Sequence, residues 1–193
     1  MSGRVCPWWL GYLLVAPLRR LFQDPAALLA PHLAEGMTVL EPGSGMGFFT
    51  LEIARRVGAA GRIVAVDVQP RMLAGLRRRA EKAALGGRIE TRLAQADRLG
   101  VDDLEGKVDL VFAFAVVHEM PDARRFLEEA ARLLKPGGRL LVAEPRGHVT
   151  GRDFAAMLET AGSLGLRLAE RPAIRGSWTA VLVRAGAPAQ VRA

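Results

Sequence analysis

The stretch TVLEPGSGMGFFT (residues 38–50) places three glycines within five positions, between an apolar run and a segment with helical periodicity. Val39 and Leu40 are typical of a buried strand, and residues 48–57 have the apolar spacing of a helix. Glycines at a strand-to-helix turn let the backbone contact a ligand where a Cβ atom would clash, and the helix N-terminus offers unpaired N–H groups. A tight turn without a ligand accounts for one or two glycines but not for three in alternation, so the stretch predicts a binding site.

Segments typical of strands and helices alternate along most of the chain. The predicted strands cover residues 38–41, 62–66, 89–93, 108–114, 139–143, 167–170 and 180–183, and the predicted helices cover residues 47–57, 70–84, 123–134 and 150–164. KPGG at 135–138 is expected to end one helix and open the next strand. Residues 8–33 are expected to form one or two helices broken at Pro17 and Pro25. This order is typical of a parallel sheet that is covered on both faces.

The composition favours one domain in a reducing compartment. The chain has 193 residues, of which 50% are hydrophobic, which is enough for one sizeable core. Its single cysteine, Cys6, cannot form an intrachain disulfide, and no Cys/His cluster has the spacing of a zinc site. We therefore expect a cytoplasmic protein without a metal. The apolar run CPWWLGYLLVAPL near the start is too short to span a bilayer and lacks a small-residue cleavage site.

The formal net charge of +7 raises the question of a nucleic-acid partner. The arginines are scattered, however, and the one local cluster, residues 77–79 with Lys82, spreads over more than one face of a helix. No aromatic residues are interleaved there to stack on bases. A solvated helix surface is the favoured interpretation, and no nucleic-acid partner is expected.

The spacing of the glycines distinguishes between the known nucleotide-binding motifs. A dinucleotide site needs G-x-G-x-x-G, which would place a glycine where Phe48 stands, and a phosphate loop needs a Gly-Lys-Ser/Thr that does not follow. The chain has instead an acid, Glu41, followed by alternating Gly43, Gly45 and Gly47. In this it resembles the class I S-adenosylmethionine-dependent methyltransferases, whose first motif is an acid, any residue, and Gly-x-Gly-x-Gly.

The resemblance continues from about residue 39 to residue 183. IVAVD ends in Asp67, AQAD (94–97) ends in Asp97, and DLVFAFAVVHEMPD (109–122) and LLKPGGRLLVAEP resemble the fourth and fifth strands of that family. The resemblance implies a doubly wound, Rossmann-like α/β fold with seven mostly parallel strands, helices on both faces and the last strand antiparallel. It also implies that S-adenosylmethionine is bound by a set of residues along these motifs: Glu41, Gly43, Gly45, Gly47, Asp67, Val68, Ala96, Asp97 and Phe114.

Several of these residues have a purely structural alternative. Asp67, which by resemblance accepts hydrogen bonds from the ribose hydroxyls, could instead cap the helix that begins near Pro70. By resemblance Asp97 caps the adenine amino group, but it could instead have no role other than to start a turn. Glu41 could be buried only because it stabilises the fold.

The sulfonium of this cofactor carries an activated methyl group, so the protein has to align the acceptor, exclude water and, for an acceptor of high pKa, take a proton. Residues after the fourth and fifth strands should face the reacting methyl, which singles out His118, Glu119 and Glu144 as catalytic candidates, with His148 as a further one. A histidine beside a carboxylate is a plausible proton acceptor. His118 could instead cap the following helix or shape the pocket wall.

We expect three parts: an N-terminal helical or lid segment (1–36), a cofactor-binding domain (37–185) and a frayed tail (186–193). The first part could equally pack on the domain flank or form a homodimer contact. The expected function is methyl transfer to oxygen, carbon or sulfur of a small molecule. AVVHEMP stands where base-amino methylators carry Asn/Asp-Pro-Pro-aromatic, and one cysteine cannot serve as an arsenite site of that fold. The alternatives are an RNA methyltransferase with an arginine-rich surface and a non-catalytic protein that binds S-adenosylmethionine.

Overall fold

The computed structural model describes residues 24–95 and 97–186, which alternate between strands and helices. The strands are β1 (Thr38–Pro42), β2 (Arg62–Asp67), β3 (Ile89–Leu93), β4 (Val108–Phe114), β5 (Leu134–Pro145), β6 (Leu166–Glu170) and β7 (Ser177–Arg184). The helices are α1 (Pro25–Leu29), α2 (Thr50–Arg56), α3 (Pro70–Lys82), α4 (Ala123–Leu133) and α5 (Gly151–Ser163). Short 3-10 turns occupy Gly86–Arg88, Asp102–Leu104 and Val117–Glu119.

The strands form one seven-stranded sheet in the order β3-β2-β1-β4-β5-β7-β6. Strands β1 to β5 run parallel, whereas β7 is antiparallel to both β5 and β6. The chain builds outward from β1 in one direction and then returns to add β4 on its other side, so the crevice at the carboxyl ends of β1 and β4 is the switch point of the fold. The doubly wound, mostly parallel fold expected from the sequence is confirmed.

Helices cover both faces of the sheet because neighbouring strand residues point to opposite sides. Val39 belongs to the apolar cluster shared with α1, α2 and part of α3, and Leu40 belongs to the cluster shared with α4 and α5. Helix α4 buries an apolar stripe, which comprises Phe126, Leu127, Ala130 and Leu133. The predicted alternation of layers therefore follows directly from the apolar pattern.

Several boundaries differ from prediction, among them the start of β7 at Ser177 rather than at residue 180, and two of the differences have an identifiable reason. Helix α2 begins at Thr50 rather than at residue 47, because the glycine-rich turn occupies the positions in between. Strand β5 begins at Leu134 rather than at residue 139: Leu134 pairs with Val108 and Arg139 pairs with Leu110, so residues 135–138 bulge out of the strand. KPGG thus ends the helix as expected but lies inside the strand.

Part of the N-terminal prediction can be compared with the structure. Helix α1 starts at Pro25, where Asp24 caps it by accepting a hydrogen bond from the Ala26 N–H at 2.9 Å. The start of α1 coincides with the break predicted at Pro25, and the segment before Asp24 lies outside the described residues. The predictions for Cys6, Trp8 and Pro17 lie outside the described residues. Among the helices that are described, none has the length and apolarity required to cross a membrane.

Candidate active site

The glycine-rich turn lies at the carboxyl end of β1, with Gly43, Gly45 and Gly47 all in left-handed conformations. At Gly43 an added Cβ atom would lie 2.4 Å from Val116 Cγ2, so the turn packs directly against the loop that follows β4. At Gly45 an added Cβ atom would meet no heavy atom within 4 Å. The turn is therefore closed against the protein at Gly43 and faces open space at Gly45.

Asp67 connects this turn to the end of β2. Its Oδ2 accepts a hydrogen bond from the Gly45 N–H at 2.9 Å, and its Oδ1 accepts one from the Gln69 N–H at 2.8 Å. The residue is buried, and this burial raises the carboxyl pKa, an effect that the backbone N–H groups of Gln69, Gly45 and Val68 oppose. Asp67 thus braces both the glycine turn and the start of α3, and its carboxylate keeps lone-pair capacity that these donors do not use.

Glu41 ends inside the protein rather than in the crevice. The Thr50 hydroxyl donates a 2.6 Å hydrogen bond to Glu41 Oε2, which joins the end of β1 to the first residue of α2. Burial raises the Glu41 pKa to about 8, with the neighbouring Asp67 charge acting in the same direction. Glu41 is therefore mostly protonated at neutral pH. The sequence did not single out Thr50 as its partner.

The far side of the crevice is apolar and open. Val68, just after β2, is 40% exposed, and Leu93 at the end of β3 is 58% exposed. The segment after β3 starts beside Asp67, because the Ala94 N–H donates to the Asp67 carbonyl at 3.0 Å. Asp97 is exposed and forms a 3.3 Å ion pair with Arg125. Ala96, the other residue expected here, lies outside the described residues.

Glu144 and His118 form a buried pair across the ends of β5 and β4. Glu144 is 1% exposed, and its carboxylate accepts hydrogen bonds from the backbone N–H groups of Val116, Val117 and His118 at 3.0 to 3.1 Å. Its Oε2 also lies 2.5 Å from Nδ1 of the His118 ring. Glu144 therefore holds the whole loop after β4 in place, as well as the histidine that this loop carries.

The hydrogen bond from Glu144 raises the pKa of His118, an effect that partial burial of the ring opposes and that the charge of Glu119 adds to. Because Nδ1 donates to Glu144, Nε2 carries the free lone pair of the neutral ring. Within the described ranges no hydrogen bond reaches Nε2. The His148 ring, from the loop after β5, lies with its centroid 5.1 Å from that of His118.

Phe114, the last residue of β4, packs into an aromatic group below the crevice. Its ring centroid lies 4.7 Å from that of Phe49 and 6.0 Å from that of Phe112. It remains partly exposed. The glycine turn also contains a residue that sequence reasoning missed, Ser44, whose buried hydroxyl has no hydrogen-bond partner in the part of the chain described.

The comparisons with known proteins agree with this geometry. The sequence profile of the methyltransferase domain family matches residues 33–175. The chain belongs to this family, and its sequence-based identification as a class I S-adenosylmethionine-dependent methyltransferase domain is confirmed.

Two relatives and one solved structure illustrate the family. The chain is 34% identical to an arsenite methyltransferase of Halobacterium salinarum over 63% of this chain and 30% of the relative. It is 33% identical to the ubiquinone/menaquinone biosynthesis C-methyltransferase UbiE of Idiomarina loihiensis over 56% of this chain and 43% of that protein. The chain thus spans less than half the length of these curated relatives.

The structural comparison supports the fold. The crystal structure of a SAM dependent methyltransferase from Aquifex aeolicus superposes with a TM-score of 0.82 at 24% identity, covering 93% of this chain and 100% of the other. At this identity the similarity establishes the architecture, while the chemistry has to be argued from the residues themselves.

Proposed function

We propose that this chain binds S-adenosylmethionine at the switch point of the sheet and transfers its methyl group to a small molecule that His118 deprotonates. The observation that carries the proposal is the Glu144–His118 pair, which lies beside the glycine turn because Gly43 packs on Val116 of the same loop. This geometry supports the proposal, because a proton acceptor in the position of His118 would be next to a cofactor bound at the carboxyl edge of β1, β4 and β5.

The residues around the crevice suit S-adenosylmethionine. The open space over Gly45, where a Cβ atom would meet no heavy atom within 4 Å, leaves room for a ligand against the backbone. Asp67 keeps lone pairs for the ribose hydroxyls, and the exposed side chain of Val68 offers an apolar contact for the adenine ring. We assign the adenine amino group to Asp97 and to the neighbouring backbone at residue 96, and the methionine end to the glycine turn and Phe114.

Glu41 receives a supporting role in this assignment. It is mostly protonated at neutral pH and is bonded to Thr50, so it holds β1 against α2 and keeps the glycine turn in shape. A bound cofactor brings its positively charged sulfonium and ammonium groups near this buried acid. Cofactor binding should therefore favour the ionised form of Glu41.

When bound, S-adenosylmethionine supplies an activated methyl: the acceptor-to-carbon bond forms as the carbon–sulfur bond breaks, and sulfur keeps the electron pair. The chain contributes alignment and a proton acceptor. His118 Nε2 takes the acceptor proton, and the Glu144 carboxylate stabilises the imidazolium through Nδ1. Glu144 is then a positioning residue, because its oxygens are bonded to the loop and to the ring. Glu119 adds negative charge near His118.

A small-molecule acceptor is supported by the named activities of the relatives, which act on arsenite or in quinone biosynthesis. Coordination of a soft metalloid needs thiolates, and Cys6 is the single cysteine of this chain. We therefore favour oxygen, carbon or an organic thiol as the methylated atom. We also propose a cytoplasmic location, a homodimer contact or lid role for residues 1–36, and the cofactor domain at residues 37–185.

The test is methyl transfer by the full chain to a panel of phenols, thiols and quinols, followed as S-adenosylhomocysteine formation. His118 must be neutral to accept a proton, and its pKa is raised, so kcat/KM should fall as the pH drops through this raised pKa. His118→Ala should lower turnover by about a hundredfold or more. Full turnover by His118→Ala across roughly pH 6 to 9 would eliminate the proposed base.

A positioning variant separates the role of Glu144 from that of His118. The carbonyl of Glu144→Gln can still accept from Val116 and Val117, but the neutral amide no longer favours the protonated ring. Its pH inflection should therefore move to lower pH than in the parent chain. His148→Ala is the matched control, since it removes a histidine 5.1 Å away without touching the Glu144 bond, and it should keep the parent inflection. Thermal melting confirms that each variant is folded.

A further inference from the structure

A second concave site lies between α1 and the loop that joins β6 to β7. Its cavity has a volume of about 330 Å³. One wall is formed by Leu28, Pro31 and His32, and the other by Ala173, Ile174 and Arg175. This volume is near the lower end of the range for small-molecule sites, about 300 to 1,000 Å³. The cavity can therefore hold a molecule of one or two rings.

The cavity lies at the same edge of the sheet as the Glu144–His118 pair. The first residue of β7, Ser177, pairs with Pro145 at the carboxyl end of β5. One residue further, the Arg146 N–H donates to the Gly176 carbonyl at 2.9 Å, so the loop after β5 is bonded to the β6–β7 loop. The loop after β5 also carries His148, whose ring is adjacent to that of His118. The loop after β5 therefore lies between the loop that carries the proposed base and the β6–β7 loop that forms one wall of the cavity.

The lining is apolar except for three side chains. The carboxylate of Asp24 is engaged in capping α1. His32 is buried, and its Nδ1 has no hydrogen-bond partner among the described residues. Burial lowers the His32 pKa, so the ring is neutral at neutral pH. This nitrogen is enclosed by protein rather than open to the cavity, so His32 contributes a neutral wall and not a charged contact.

Arg175 is the cation that remains available. Arg146, from the neighbouring loop, is already used, since its Nε donates to the Ser177 carbonyl at 3.3 Å and its guanidinium lies 4.2 Å from the Trp178 ring centroid. Arg175 is exposed and, in the described part of the chain, forms no hydrogen bond or ion pair. An unpaired guanidinium at the mouth of an apolar cavity favours an anionic group on the ligand.

We propose that this cavity holds the methyl acceptor, and that the acceptor is a small aromatic or other apolar acid whose carboxylate pairs with Arg175. The apolar walls would bury the body of the molecule, while Arg175 sets its orientation relative to His118. This inference rests on the proposed function, because it names the substrate class of that site. It adds a specificity residue that lies outside the cofactor crevice.

The test uses 4-hydroxybenzoate and 3,4-dihydroxybenzoate, each beside its uncharged amide, with the full chain and S-adenosylmethionine. We expect kcat/KM for the acids to exceed that for the amides by about tenfold. Arg175→Gln should raise KM for the acids by about tenfold, with kcat little changed and with the amides unaffected. Arg171→Gln removes an exposed arginine from the same loop that does not line the cavity, and it should match the parent chain.

Calorimetric binding of the same probes to the S-adenosylhomocysteine complex distinguishes a failure of the acceptor assignment from a failure of the proposed function. Arg175-dependent binding of the acids without any methyl transfer would support the cavity and overturn the proposed function. Methyl transfer to acids and amides alike, unchanged by Arg175→Gln, would support the proposed function and overturn the acceptor assignment. The absence of acid binding at millimolar concentration would also overturn the acceptor assignment.

Discussion

Replacing Glu41 by glutamine should stabilise the cofactor-free protein and remove much of its pH dependence. Glu41 is fully enclosed, and its pKa is raised from 4.5 to about 8. Glutamine has the same shape as the protonated acid, and its carbonyl can still accept the hydrogen bond of the Thr50 hydroxyl. The substitution therefore removes a charge that the interior disfavours while preserving the contact.

The sign and size of the effect follow from proton linkage. Between pH 4.5 and about 8 the folded state holds a proton on Glu41 that the unfolded chain has released, so the free energy of unfolding falls as the pH rises through this window. At about 1.36 kcal/mol per unit, the loss reaches about 3 kcal/mol at pH 7. Glu41→Gln avoids this loss, which for a chain of this size corresponds to a rise in Tm of roughly 6 to 12 °C.

The assay is urea unfolding of the parent chain and of Glu41→Gln at a series of pH values from about 5 to 8, without cofactor. The free energy of unfolding of the parent should fall relative to that of the variant across this range. Glu159→Gln, at an exposed position on α5, is the matched control and should follow the parent. Parallel curves for Glu41→Gln and the parent would refute the reasoning, because Glu41 would then be ionised in the folded protein.

Two further predictions concern the glycine turn and its carboxylate. Gly43→Ala should destabilise the protein by about 2 to 4 kcal/mol, because the new Cβ atom meets Val116 and the backbone is left-handed. Gly162→Ala, at an exposed helical site with nothing within 4 Å, should instead stabilise by about 0.5 to 1 kcal/mol, and equal effects in urea unfolding would contradict the geometry. Asp67→Ala should weaken S-adenosylmethionine binding at least about tenfold by calorimetry, and an unchanged affinity would remove the ribose assignment.

Local patterns were sufficient to predict most of the fold. Strands β3 and β4 have the predicted bounds: β4 is a mostly apolar run, and β3 is a short segment with apolar ends that follows two glycines. The start of β5 was predicted too late, since pairing with β4 extends the strand across the KPGG bulge. Strand pairing depends on the neighbouring strand, so it cannot be predicted from the sequence of one segment alone.

The candidate cofactor site was also predictable from order along the chain. Glu41 and Asp67 lie at the carboxyl ends of β1 and β2, the glycines follow β1, and parallel strands bring their carboxyl ends to one edge of the sheet. Their protonation and partners were not predictable. The bond between Glu41 and Thr50 and the raised Glu41 pKa depend on how deeply the turn is enclosed.

The sequence by itself determined the layered α/β fold, the glycine turn and the family, because these depend on apolar periodicity and on residues close together in the chain. Only the tertiary structure decided that Glu144 anchors the loop of His118, and that residues near α1 meet the β6–β7 loop to enclose a cavity. These contacts join segments that are distant in sequence. They form only when the sheet brings the ends of its strands together, and burial then sets the charge of the groups that meet there.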